Sequence, residues 1–227
     1  MNKLASSLAV AGFLAVALTN VASAQFSLKA IPGVSNVVAS GNSGGTPAAD
    51  LGAQQDDLVR GYVAANRDVL NANSKMAAAL GMKEDSLKLK QTADSMTEGS
   101  TVGNLEPSNK QIAVSTKALA AEMAKQPVLD ANSKALYSAG LISLVSGVTK
   151  YVGVGKNVKE MTTHLSGASP MQLPKLQSAV FVVSKFPDSM STVASALKTA
   201  VDFAKTNGIQ MPAGTDDAMA AIGFAAM

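Results

Sequence analysis

Gly153-Val154-Gly155-Lys156 ends as a phosphate-binding P-loop ends, with glycine and lysine side by side. The full motif cradles phosphate in backbone N–H groups. It therefore needs a glycine five residues before Gly155, a hydroxyl residue after the lysine, and a strand leading into it. Here those two positions hold Lys150 and Asn157, and the residues before them have helical spacing. A helix end is the better reading. Ser195-Ala196-Leu197-Lys198 fits S-x-x-K, in which a lysine amine takes the serine proton. The companion S-D-N and K-T-G elements are missing, and both residues fall on the polar face of their helix pattern, where solvated side chains are expected.

His164 is the only histidine and there is no cysteine, so no second His or Cys can complete a metal site. No C-x-x-C-H is present for haem attachment. His164 falls near a helix C-terminus, where a partly charged imidazole meets the helix dipole favourably. The carboxylates come as adjacent pairs: Asp56-Asp57, Glu84-Asp85 and Asp216-Asp217. Neighbours on a helix point about 100° apart, so a pair does not converge on one substrate atom. No calcium-loop spacing appears, and the methionines are scattered singly, as gap-filling core residues are. No catalytic, cofactor or metal residue is assigned.

The chain opens with a targeting pattern. Lys3 supplies the positive n-region, residues 8–18 (LAVAGFLAVAL) an apolar h-region, and Ala22-Ser23-Ala24 a small-x-small cleavage signal. Residues 1–24 are read as a cleavable signal peptide cut between Ala24 and Gln25, with the mature protein periplasmic or secreted. Lys3 is the only charge removed, so the mature chain carries 18 basic against 16 acidic residues, or +2. That balance predicts neither nucleic acid nor anionic lipid as a partner. Without cysteine, an exported protein of this size is stabilised by packing alone.

Residues 25–46 read as an N-terminal arm and linker. Phe26, Leu28, Ile31 and Val34 are more apolar than a solvated tail needs. The arm either lies along the domain or docks into a partner. Residues 47–211 carry dense helix signals. Thr46-Pro47 reads as N-cap and N1 proline, and Leu51, Leu58, Tyr62, Ala65, Val69, Ala72 and Met76 recur at helical steps up to Gly81. A second helix is expected over 83–98 with Leu89, Ala93 and Met96 inward, then a loop, then a helix from a Ser108/Gln111 capping box. Pro127 breaks that helix and Asp130 caps the next. Gly153 and Gly155 end or kink it, before a short helix around 156–165. Ser169-Pro170 with Gln172 starts another, apolar nearly all round at 179–183, although that β-branched run also fits a strand. Pro187 with Asp188 starts the last, closed by Asn207-Gly208. Residues 212–227 read as a loose tail. VLNANSK at 69–75 and VLDANSK at 128–134 are nearly identical, but the similarity fades on both sides, as in a chance match. The fold class is all-α: one bundle of six or seven helices, mostly antiparallel, after a short arm.

The most apolar stretch after the N-terminus is residues 136–155. Its uncharged part, residues 135–149, would reach about 22 Å as a helix, short of a hydrocarbon core of about 30 Å. Tyr137, Leu141, Leu144, Val145, Val148, Tyr151 and Val152 gather on one arc. Ala139, Ser143, Ser146, Gly147 and Lys150 fall opposite. This segregation suits a soluble bundle rather than a membrane span: the large face fills a core, and the small face meets a second backbone or water. Tyr137, Leu141, Leu144, Val148 and Tyr151 are also the residues that would line an apolar ligand site between helices.

Three functions remain, in order of preference. The first is a non-catalytic exported protein acting through protein contacts, with a partner or with itself, as adaptor, assembly factor or structural component. The second is a carrier of an apolar small molecule or lipid. The third is an enzyme without a recognisable motif.

Overall fold

The computed structural model describes residues 48–97, 99 and 101–225, and every regular element among them is helical. Six α-helices succeed one another: α1 (Ala48–Ala79), α2 (Lys83–Ser95), α3 (Val102–Ala124), α4 (Ala131–Ser166), α5 (Gln177–Thr206) and α6 (Thr215–Ala225). A 3₁₀ turn, Leu173–Leu176, precedes α5. Residues 1–24, read from the sequence as a signal peptide, the arm residues Phe26, Leu28, Ile31 and Val34, and Thr46-Pro47 lie outside the described residues.

α1 is the centre of the bundle because two of its faces are apolar. Leu58, Tyr62, Ala65, Val69, Ala72, Met76 and Ala79 form one buried stripe at alternating four- and three-residue steps. Val59, Val63, Asn66, Leu70, Asn73, Ala77 and Leu80 form a second, also buried. A helix apolar on two faces must be covered on both. α4 covers the first, and α2 and α3 lie against the second. Gly81, at φ +82°, ends α1 in the left-handed conformation that glycine adopts without strain. The Met82 N–H then bonds to the Ala77 carbonyl at 2.8 Å, which completes a Schellman turn.

The α1–α4 pair is antiparallel and unusually close. A β-carbon on Gly140 would stand 2.7 Å from Met76 Cγ and 3.2 Å from the Ala72 carbonyl oxygen. One on Gly147 would stand 2.9 Å from Val69 Cγ2 and 3.3 Å from the Ala65 carbonyl oxygen. Two turns of α4 thus lie directly on two turns of α1, with glycine on the α4 side against the Ala65 and Ala72 carbonyls and the Val69 and Met76 side chains. Of the two expectations for the small face of α4, close backbone approach holds at Gly147. Lys150 finds Asp68 of α1 at 2.7 Å, and Ser146 donates to the same carboxylate at 2.7 Å. The large face meets α5: the Tyr137 and Phe203 ring centres are 5.2 Å apart, and those of Tyr151 and Phe186 6.0 Å.

Helix boundaries differ from expectation where tertiary packing overrides a local signal. α3 starts at Val102, not at Ser108: Asn104 Oδ1 takes the Thr101 N–H, and Pro107 lies inside the helix. α2 stops at Ser95, although Met96 stays buried. α4 runs unbroken through Gly153 and Gly155, so there is no separate helix at 156–165. An interior glycine costs only about 1 kcal/mol, and Val154 and Met161 in the core carry the helix across. Ser169 and Gln172 make half of the expected box, the Ser169 N–H donating to Gln172 Oε1 at 2.9 Å. The 3₁₀ turn comes next, and α5 begins only at Gln177. Residues 179–183 are helix, not strand, and α5 continues through Pro187, with Val182 and Met190 anchoring it on either side.

Asp130 caps α4 as expected, accepting the Ser133 N–H at 2.7 Å. Gly208, at φ +61°, closes α5, and the Ile209 N–H reaches the Ala204 carbonyl at 2.9 Å. Residues expected to form a loose tail include α6, whose Ala218 and Ile222 are buried. Its small side chains give little periodic signal, and burial against α4 and α5 holds it.

Gly140→Ala and Gly147→Ala should each destabilise the chain by about 1–3 kcal/mol through overpacking. Gly153 faces open space, so Gly153→Ala should stabilise it by about 0.5–1 kcal/mol. Urea unfolding midpoints of the three variants check both signs.

Candidate functional site

The residues foreseen as a ligand lining belong to the core. Tyr137, Leu141, Leu144, Val148 and Tyr151 are each 0 % exposed. The two tyrosine hydroxyls are already bonded: Tyr137 donates to the Ala200 carbonyl at 3.1 Å, Tyr151 to Asn66 Oδ1. None of the five lines either of the two small cavities described below.

The more distinctive arrangement is polar. Tyr151 of α4 donates to Asn66 Oδ1 of α1, and Asn66 Nδ2 donates to Asn109 Oδ1 of α3 at 2.9 Å. Asn109 Nδ2 donates to the Tyr62 hydroxyl of α1 at 2.7 Å, and that hydroxyl shares a 2.7 Å bond with Ser189 Oγ of α5. The Tyr62 and Tyr151 rings meet edge to face, centres 5.7 Å apart. One chain of hydrogen bonds therefore ties four helices together through the core. A buried polar group is tolerated only when bonded, and loss of one partner costs about 1–3 kcal/mol. Asn66 is marked in the sequence, with Asn73, as one of two polar residues on an otherwise apolar helical stripe; Asn109 and Ser189 carry no such mark.

Asn73, one heptad further along that stripe, donates to Ser115 Oγ at 2.8 Å, but its buried Oδ1 has no hydrogen-bond partner. Asn73 also borders a cavity of about 100 Å³ between α1, α3 and α5, with Met76, Thr116, Leu119, Met123 and Ser195 around it. A second cavity, between α1, α2 and α3, is about 30 Å³. Ligand pockets run from about 300 Å³ upward, so both are water-sized rather than lipid-sized spaces.

The remaining sequence candidates are dispersed. Gly153 and Gly155 are helix interior, not a phosphate loop. Lys198 pairs with Asp202 at 2.9 Å on the surface, one helical turn away, rather than being held for Ser195. His164 lies in the last turn of α4, as expected. Glu84 and Asp85, and Asp216 and Asp217, lie in the first turns of α2 and α6, where the dipole favours negative charge. Among the described residues no three His, Asp or Glu side chains gather where they could hold a metal ion. Neither a protein-family model, nor a curated protein, nor a solved structure matches this chain.

All three tyrosines of the chain are buried, and burial pushes each hydroxyl above its ordinary value. For Tyr62 the bonds to Ser189 and Asn109 offset part of that rise. The folded values lie above the unfolded value of 10.0, so the stability these groups contribute is fully present below pH 10. It is lost as the pH rises toward the folded values, because the unfolded chain sheds protons the folded chain keeps. In an alkaline titration, tyrosinate absorbance should therefore appear in one cooperative step together with loss of helical circular dichroism. Tyrosines ionising at the ordinary value with helicity intact would contradict their burial.

Proposed function

We propose that this chain is exported, cleaved after Ala24, and acts without catalysis through contact with another protein or a second copy of itself. The observation that carries this reading is the corner between α4 and α5. Met171 is 86 % exposed there, and Leu173 and Val180 stand out beside it, all within ten residues. The corner is held against α1 by Gln55, whose Nε2 donates to the Lys175 carbonyl at 3.3 Å and whose Oε1 accepts the Ala179 N–H at 3.2 Å. Exposed apolar side chains on a fixed backbone are what a contact surface needs, because little entropy is lost when a partner covers them.

α4 is long and apolar enough to cross a membrane by length and composition. We read it as a core helix instead, because its large face is filled by the bundle and Lys150 is engaged by Asp68. We prefer this reading to the carrier because Tyr137 and Tyr151, the seat foreseen for an apolar ligand, are buried with their hydroxyls bonded inside the bundle.

A photocrosslinking residue at Met171, introduced in the producing cell, should give one discrete adduct. The same residue at exposed Lys88 of α2 serves as control. Adducts at Met171 no different from those at Lys88 would refute the corner as a contact surface.

A further inference from the structure

Four helices cross the layer of the Tyr62–Asn66–Asn109–Tyr151–Ser189 chain, and each carries a helix-weakening residue within one turn of it. Gly61 precedes Tyr62 in α1, and Pro107 stands two residues before Asn109 in α3. Gly153 and Gly155 come just after Tyr151 in α4, and Pro187 stands two residues before Ser189 in α5. Three of these five have no packing reason. Pro107 and Pro187 are exposed, so neither fills the core, and each removes the N–H that would bond to the carbonyl four residues earlier. Gly153 faces open space. Only Gly61 and Gly155 meet neighbours: a β-carbon would stand 3.1 Å from Val154 Cγ2 and 3.3 Å from Phe186 Cζ, respectively.

Helices bend at proline and glycine, where ladder bonds are missing or weakly supported. Such sites on four helices at one level define a plane across the bundle. On one side lie residues 48–60 of α1, 102–106 of α3, 156–166 of α4, the 3₁₀ turn and 177–186 of α5. On the other lie the close α1–α4 contacts at Gly140 and Gly147. The two sides differ in kind, since backbone-to-backbone packing resists deformation and a level of interrupted helices does not.

We propose that this plane is a hinge about which one end of the bundle bends, with the hydrogen-bonded Tyr, Asn and Ser side chains as the latch that holds it straight. Bending swings four helix segments together, as in hinge motions that concentrate backbone change at a few positions. The latch opens by exchanging its internal bonds for water, which the hydroxyls and amides accept readily. The corner with Met171 and Leu173 lies on the side that moves, but the hinge stands without the contact reading.

Amide hydrogen exchange on the full chain tests it. Residues 48–60, 156–166 and 177–186 should exchange through an opening that leaves residues 137–148 protected. Tyr151→Phe removes a bond made only in the straight, folded state and should speed exchange of the end segments and of residues 137–148 by the same factor of about ten. Leu141→Ala lies on the side that stays packed, so it should speed exchange of residues 137–148 at least about tenfold and leave the end segments unchanged. Should Leu141→Ala not fold, the milder Leu141→Val decides in its place. End segments that exchange no faster than residues 137–148 in the unaltered chain, or that speed up with them in the Leu141 variant, overturn the hinge.

Discussion

The fold depends on two side chains that are not there. Gly140 and Gly147 let α4 lie on the backbone of α1, against Ala72 and Ala65. That contact fixes the register of the two longest helices, because a slip of one residue would put a β-carbon into a carbonyl. Once α4 is seated, its large residues point at α5, and Tyr137 and Tyr151 find Phe203 and Phe186. α1 then serves as a two-faced column, with α4 on one side and α2 and α3 on the other. With no cysteine to staple the chain, close packing of this kind is the stabilising term left.

The interior is not uniformly apolar, and its polar groups are placed rather than scattered. Asn66 and Asn73 occupy successive heptad positions of α1, and each reaches α3. Asn66 is fully engaged, whereas Asn73 leaves one acceptor unpaired beside a small cavity. Such pairs fix which helix neighbours which, since a shifted α3 would leave both amides unsatisfied in the core. The same hydrogen-bonded layer coincides with the prolines and glycines of the surrounding helices. Rigidity and weakness therefore lie at different levels of one bundle.

Much of the fold was legible in the sequence, and the misreadings share a cause. The helices around Tyr62, Leu89, Leu144 and Leu197 follow from periodicity, and the caps at Gly81, Asp130 and Gly208 from local stereochemistry. Pro187 and Gly153–Gly155 read as breaks because the local cost is visible and the compensating burial of Val154, Val182 and Met190 is not. The Ser108/Gln111 box misled in the same way, since burial of Leu105 carries α3 back to Val102. Tyr137 and Tyr151 read from the sequence either as core or as the lining of an apolar site, and the sequence could not choose between the two. That depended on Asn66 and Phe203, which come from other helices. The exposed corner at Met171 was invisible for the opposite reason: its apolar residues look like core until the turn that presents them is seen.

The α1–α4 register is the claim on which everything else rests, and one measurement reaches it directly. In a nuclear Overhauser spectrum of the folded chain, the Tyr151 ring should show cross-peaks to the rings of both Tyr62 and Phe186, and the Tyr137 ring to Phe203. With three tyrosines and no tryptophan, the aromatic region is sparse enough to assign. Cross-peaks from Tyr151 to Phe186 without any to Tyr62 would mean that α4 is not seated on α1, and would contradict the close contact at Gly140 and Gly147.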